Sequence, residues 1–209
     1  MGRGTILDRS VARNGGALAL AWVAIIALGC AITAADVPRL KREAREATEA
    51  GRHVEALRAL RPASQLAPDD PEVFILLGAV ALRAKRPSEA EAALARAVEL
   101  SPNDPRPLTA HGLALRSLRR YEEAESALLH SLILRPADPS TLAALGEVYR
   151  LWGQPEKCAA RYEQFAWQLE QEDAAVKSAR RQRSLAVARS RMQECEAAAA
   201  AEPVETELR

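Results

Sequence analysis

Apolar and small positions recur along this chain with a period of 34 residues, over four segments: Val37–Asp70, Pro71–Asp104, Pro105–Asp138 and Pro139–Glu172. The eighth place of each is small (Ala44, Gly78, Gly112, Gly146), as is the twentieth (Ala56, Ala90, Ala124, Cys158). The fourth is apolar (Leu40, Phe74, Leu108, Leu142) and the twenty-fourth is large (Leu60, Leu94, Leu128, Tyr162). Pro68, Pro102 and Pro136 close three of the segments. Proline cannot continue a helix and pushes the preceding residue toward extended geometry. The pairs Asp70-Pro71, Asp104-Pro105 and Asp138-Pro139 then supply an N-cap and a first-turn proline for the next helix.

Phe74-x2-Leu77-Gly78-x2-Ala81 and Leu142-x2-Leu145-Gly146-x2-Tyr149 follow the pattern W-x2-L-G-x2-Y. The third segment has His111 where leucine is expected, and the first has Glu43 there and Ala47 in place of tyrosine. On these residues, 37–172 resembles the tetratricopeptide repeat (TPR) family, with the first unit departing most. The resemblance implies an all-α fold, a right-handed α-solenoid of four helix–turn–helix units (37–70, 71–104, 105–138, 139–172). A single hairpin cannot bury its apolar face, whereas four stacked ones share a continuous core. The eighth and twentieth places are expected where the two helices of a unit approach closely. Place twenty-seven (Ala63, Ala97, Ser131) admits the next unit, and Phe165 takes that place in the last.

The resemblance also implies a concave groove lined by the first helix of each unit. Its usual lining places fall here on Lys41, Arg42, Arg45 and Thr48 in the first unit, and on Ile75, Leu76, Ala79, Leu82 and Arg83 in the second. The third supplies Arg106, Thr109, Ala110, Leu113 and Arg116, and the fourth Ala143, Ala144, Glu147 and Arg150. An apolar floor with Arg83, Arg116 and Arg150 in a row suits a protein partner, an amphipathic helix or peptide bearing carboxylates. TPR domains that clamp chaperone C-termini need asparagines where Arg45 and Leu76 stand, so chaperone docking is not expected.

The flanks change the picture. Residues 1–16 form a short tail with Arg3, Arg9 and Arg13, and 17–35 are free of charge and mostly apolar. A helix of that length reaches about 28 Å, close to the thickness of a bilayer core. It reads as a membrane anchor, as a cleaved export signal ending at Thr33-Ala34-Ala35, or as a lipoprotein signal. In the last case Ala27-Leu28-Gly29-Cys30 resembles a lipobox, with Cys30 lipidated. Arginines and Lys41 on both sides leave the orientation undecided by charge. The basic tail before the apolar run favours repeats on the extracytoplasmic, periplasmic side of a membrane.

After the repeats, a helix is expected over 173–201, separate from the last repeat helix or continuous with it, covering the open end of the stack with Val176, Ala179, Leu185, Ala188, Met192 and Cys195, and a disordered tail over 202–209. Lys177, Arg180, Arg181, Arg183, Arg189 and Arg191 make this helix basic, and a solvated outer face is the expected role.

Net charge of +1 gives no pointer to nucleic acid. The three cysteines match no metal or haem spacing, and no disulfide framework is legible. Cys158, at a small-residue place, is expected as a buried apolar thiol. His53, His111 and His130 share no metal-ligand spacing, His111 falling at a core place. With no phosphate loop and no nucleophile elbow, the chain reads as a non-enzymatic adaptor without metal, cofactor or small-molecule substrate. Two alternatives are a lipoprotein secretion or pilus-assembly factor lipidated at Cys30, and a cytoplasm-facing accessory subunit of an enzyme complex.

Overall fold

The structure is a computed structural model of the 209-residue chain, describing residues 33–171 and 179–201. A 3-10 turn at Ala34–Asp36 leads into nine helices, and no strand occurs among the described residues. They are α1 (Val37–Glu49), α2 (His53–Leu66), α3 (Pro71–Arg83), α4 (Pro87–Leu100), α5 (Pro105–Ser117), α6 (Tyr121–Leu134), α7 (Pro139–Trp152), α8 (Pro155–Gln171) and α9 (Ala179–Ala201). Each unit is one hairpin, α1–α2 through α7–α8, and the hairpins stack in register.

The caps fall where the aspartates stand. Asp70 accepts from the Glu72 amide at 3.0 Å, Asp104 from Arg106 at 2.9 Å and Asp138 from Thr141 at 2.8 Å. A second punctuation recurs at place fifteen, between the two helices of every unit. Gly51, Lys85, Arg119 and Gly153 all have positive φ, from 56° to 75°. Lys85 and Arg119 carry a side chain where glycine costs least.

The close approach of paired helices is the eighth place meeting the twenty-fourth. A Cβ on Gly78 would fall inside Leu94, one on Gly112 would lie 2.5 Å from Leu128 Cγ, and one on Gly146 2.9 Å from the Tyr162 ring. Leu60, Leu94 and Leu128 are fully buried. A polar cluster sits within the core of the last two units. Thr109 Oγ1 lies 2.7 Å from Ser131 Oγ and 2.8 Å from Thr141 Oγ1, Ser131 donates to the Pro105 carbonyl at 3.1 Å, and Thr141 donates to Asp138 at 2.7 Å. Ser131 and Thr141 are fully buried, so these bonds satisfy hydroxyls that would otherwise cost about 1–3 kcal/mol each.

Helix α9 packs along α8 and closes the last unit, burying Ala188 and Cys195 with Leu185 and Met192 beside them. Cys158 is not the free apolar thiol its packing place suggests. It is disulfide-bonded to Cys195 across 37 residues, with a Cα–Cα distance of 5.9 Å. The bond ties α8 to the helix that covers the open end of the stack. The arginines of α9 are largely engaged within the protein. Arg181 donates to the Leu169 and Glu170 carbonyls at 2.6 and 3.0 Å, satisfying the C-terminus of α8. Arg189 pairs with Glu170 at 2.7 Å and Arg191 with Glu194 at 2.6 Å.

The basic tail 1–16, Cys30, nearly all of the apolar segment 17–35, the stretch 172–178 with Val176 and Lys177, and the tail 202–209 lie outside the described residues. Among the described residues no helix is long and apolar enough to cross a membrane.

Candidate functional site

The first helices α1, α3, α5 and α7 pack on one another in succession and carry the predicted groove residues. Two hollows open between them. One, of about 290 Å³, lies between α1 and α3, with Ala44, Thr48, Leu76, Ala79 and Val80 as its floor and Arg45, Glu49 and Arg83 at its edge. The other, of about 250 Å³, lies between α5 and α7 and is lined by Arg106, Thr109, Ala110, Leu113, Arg135 and Asp138. Of the predicted groove residues, Arg45, Thr48, Leu76, Ala79 and Arg83 share the first, and Arg106, Thr109, Ala110 and Leu113 the second.

The others are placed differently. Ile75 is half-buried and lines neither hollow, and Leu82 packs against the core of the first two units. Thr109 lines its hollow but spends its hydroxyl on the buried Ser131–Thr141 cluster. Arg116 is half-buried outside both hollows.

The expected row of free arginines is shorter than the sequence suggests. Arg150 is bound to Glu147 at 2.6 and 2.9 Å, and Tyr162 donates to the same carboxylate at 3.1 Å. The Arg150 guanidinium holds the Glu147 carboxyl below the usual range against the opposing effect of burial. Arg150 instead borders a separate hollow of about 300 Å³ with Glu194, Cys195 and Ala198 of α9. Arg106 is likewise committed, to Asp104 at 2.7 Å and, at 3.5 Å, to Glu72, which Arg45 also reaches at 3.0 Å. Lys41 bonds Asp70 at 2.9 Å. Burial alone would raise the Asp70 carboxyl, but the Lys41 ammonium and the α3 amides hold it low. Among the described residues Arg83 and Arg116 are in no ion pair.

His53 and His111 each keep one buried ring nitrogen without a hydrogen-bond partner, and His111 Nε2 stands 3.6 Å from Glu91. His111, predicted at a core place, is half-buried between α4 and α5. No three metal-ligating side chains converge among the described residues.

A family model described as "Tetratricopeptide repeat" matches residues 47–113. This is a TPR fold. A thermophilic TPR protein of Thermus thermophilus superposes with a TM-score of 0.61 at 21% identity, over 78% of this chain and 88% of that one. The first TPR of Spaghetti (RPAP3), bound to the HSP90 peptide SRMEEVD, gives 0.55 at 20% identity over 58% and 96%. YrrB, described as a TPR protein with an unusual peptide-binding site, gives 0.57 at 21% identity over 62% and 66%. No curated protein sequence matches the chain significantly.

Proposed function

We propose that this chain is a protein-interaction scaffold that takes a carboxylate-bearing peptide or amphipathic helix along its concave face. The observation that carries this reading is the hollow between α1 and α3: an apolar floor of Leu76, Ala79 and Val80 beside Arg83, which is exposed and in no ion pair among the described residues. A guanidinium next to an uncovered apolar strip fits a ligand that brings both a carboxylate and aliphatic side chains. Arg116, one unit on, is half-buried outside both hollows and is likewise in no ion pair among the described residues. One structural neighbour holds the acidic peptide SRMEEVD, and another is described by its peptide-binding site, which supports a peptide ligand for this fold. Lys41 and Arg45, already bonded to Asp70 and Glu72, are not available in the manner of a chaperone clamp.

The scaffold is further proposed to be tethered to a membrane through residues 17–35, with its repeats on the extracytoplasmic side, and to serve assembly of an envelope complex. The charge-free composition of 17–35 supports the tether. The Cys158–Cys195 disulfide supports the location, since such bonds persist in oxidising compartments. The envelope role rests on family analogy.

The test is crosslinking and pull-down from intact cells with wild type beside the Arg83→Glu/Arg116→Glu variant. Arg150 is left intact because its partner is Glu147. Loss of the partner at unchanged helicity is expected, and equal recovery would refute the groove assignment.

A further inference from the structure

Place twenty-nine of the repeat faces solvent on the second helix of each unit. In the first two units it is polar and exposed, Gln65 and Glu99. In the last two it is Ile133, 76% exposed, and Trp167, 59% exposed. Nothing in helix packing calls for an indole there, since the α8–α9 interface is already built from Phe165, Ala166 and Leu169 on one side and Ala188 and Cys195 on the other. Beside Trp167 a cavity of about 550 Å³ opens between α8 and α9, with Ala166 and Met192 in its wall. Its rim carries Glu163, Glu170, Glu196 and Arg189. Arg189 is spent on Glu170, while Glu163 and Glu196 are in no ion pair among the described residues.

We propose that this cleft between α8 and α9 is a second docking site, for a basic amphipathic helix. An aliphatic side chain of the ligand enters the cavity against Met192 and Ala166. Its arginines or lysines meet Glu163 and Glu196 and lie over the indole of Trp167, which attracts cations to its face. These two carboxylates, in no ion pair among the described residues, select a cationic protein segment and repel an anionic lipid surface. Tryptophan is among the residue types enriched at the energetic centres of such contacts. The α9 wall is held in place by Cys195, three residues from Met192 and one from Glu196. The site thus lies away from the concave hollows, so one chain has a carboxylate-seeking face and a cation-seeking face.

The experiment titrates the full-length chain with a synthetic amphipathic helix bearing leucine and arginine on one face, followed by Trp167 fluorescence against a Trp167→Phe control. The same peptide with glutamate for arginine serves as comparison. Saturable binding of the arginine peptide is expected, weakened at least about tenfold in Glu163→Lys/Glu196→Lys and in Trp167→Ala when followed by calorimetry. Arg83→Glu should leave it unchanged, which separates this site from the groove. All three side chains at the site are exposed, so the variants keep their fold. Absence of binding, equal binding by the glutamate peptide, or affinity unchanged in the variants would overturn the proposal, as would competition by the chain's own N-terminal tail or by a second copy.

Discussion

Gly112 and Leu128 fit together because Gly112 has no side chain: a Cβ there would stand 2.5 Å from Leu128 Cγ and 3.3 Å from the Ala124 carbonyl oxygen. Gly112→Ala should therefore destabilise the stack by about 1–3 kcal/mol through overpacking. Combining it with Leu128→Val should cost less than the sum of the two single changes, because they share one contact. Urea unfolding of the four proteins measures this, and additive costs would show that Gly112 is not packed as described.

Place fifteen offers the opposite effect. Arg119, with φ of 61°, occupies a backbone conformation that the first and last units give to Gly51 and Gly153. Arg119→Gly should raise stability by about 0.5–1 kcal/mol, the left-handed penalty outweighing the entropy glycine adds to the unfolded chain. A rise in Tm is the expected readout, with Gly153→Ala shifting it the other way.

Breaking the Cys158–Cys195 bond should release α9 first. By the chain-entropy relation a loop of this length contributes about 4 kcal/mol. In Cys195→Ser, hydrogen exchange should accelerate over 179–201 and the facing surface of α8, while α1–α5 stay protected. Uniform acceleration along the chain would contradict a local staple.

The hydroxyl cluster couples the third and fourth units. Thr141→Val removes the donor to Asp138 and the contact to Thr109, so a loss of about 1–3 kcal/mol is expected. Thr109→Val/Thr141→Val should lose less than the two singles added together. Chemical unfolding of the singles and the double measures the difference, and strict additivity would contradict a shared network.

The alkaline limit follows from the two buried tyrosines. Burial, then the nearby carboxylate (Glu125 for Tyr149, Glu147 for Tyr162), pushes each phenol up to about 12 from an ordinary 10.0. A raised folded value means the contribution is complete below pH 10.0 and is lost as pH rises toward about 12. Tm should fall across that window in the wild type and fall less steeply in Tyr149→Phe. A parallel fall in both would dissociate Tyr149 from the effect.

The helix ends and the hairpin packing were legible because each rests on a local rule: Asp-Pro caps, closing prolines, and small residues spaced to face large ones. The groove was legible as a list of places but not as a charge pattern. Whether Arg83 is free and Arg150 is not depends on Glu147 lying three residues before Arg150 on the same helix, a signal that was available, and on Tyr162 folding back onto it, which was not. The Cys158–Cys195 pair was invisible because α9 does not continue the 34-residue register, so no spacing brings its cysteine opposite Cys158. Gly51 and Gly153 mark place fifteen in the sequence, but Lys85 and Arg119 hide its period.

If a partner sits on the concave face, it must touch the floor between α1 and α3. A photo-crosslinking residue at Ala79, on the floor between α1 and α3, tests it in intact cells, with the same residue at exposed Val54 of α2 as comparator. A partner adduct is expected from position 79 that disappears with Arg83→Glu/Arg116→Glu and is missing from position 54. An adduct from position 54 alone, or one from position 79 that survives the charge reversal, would contradict it.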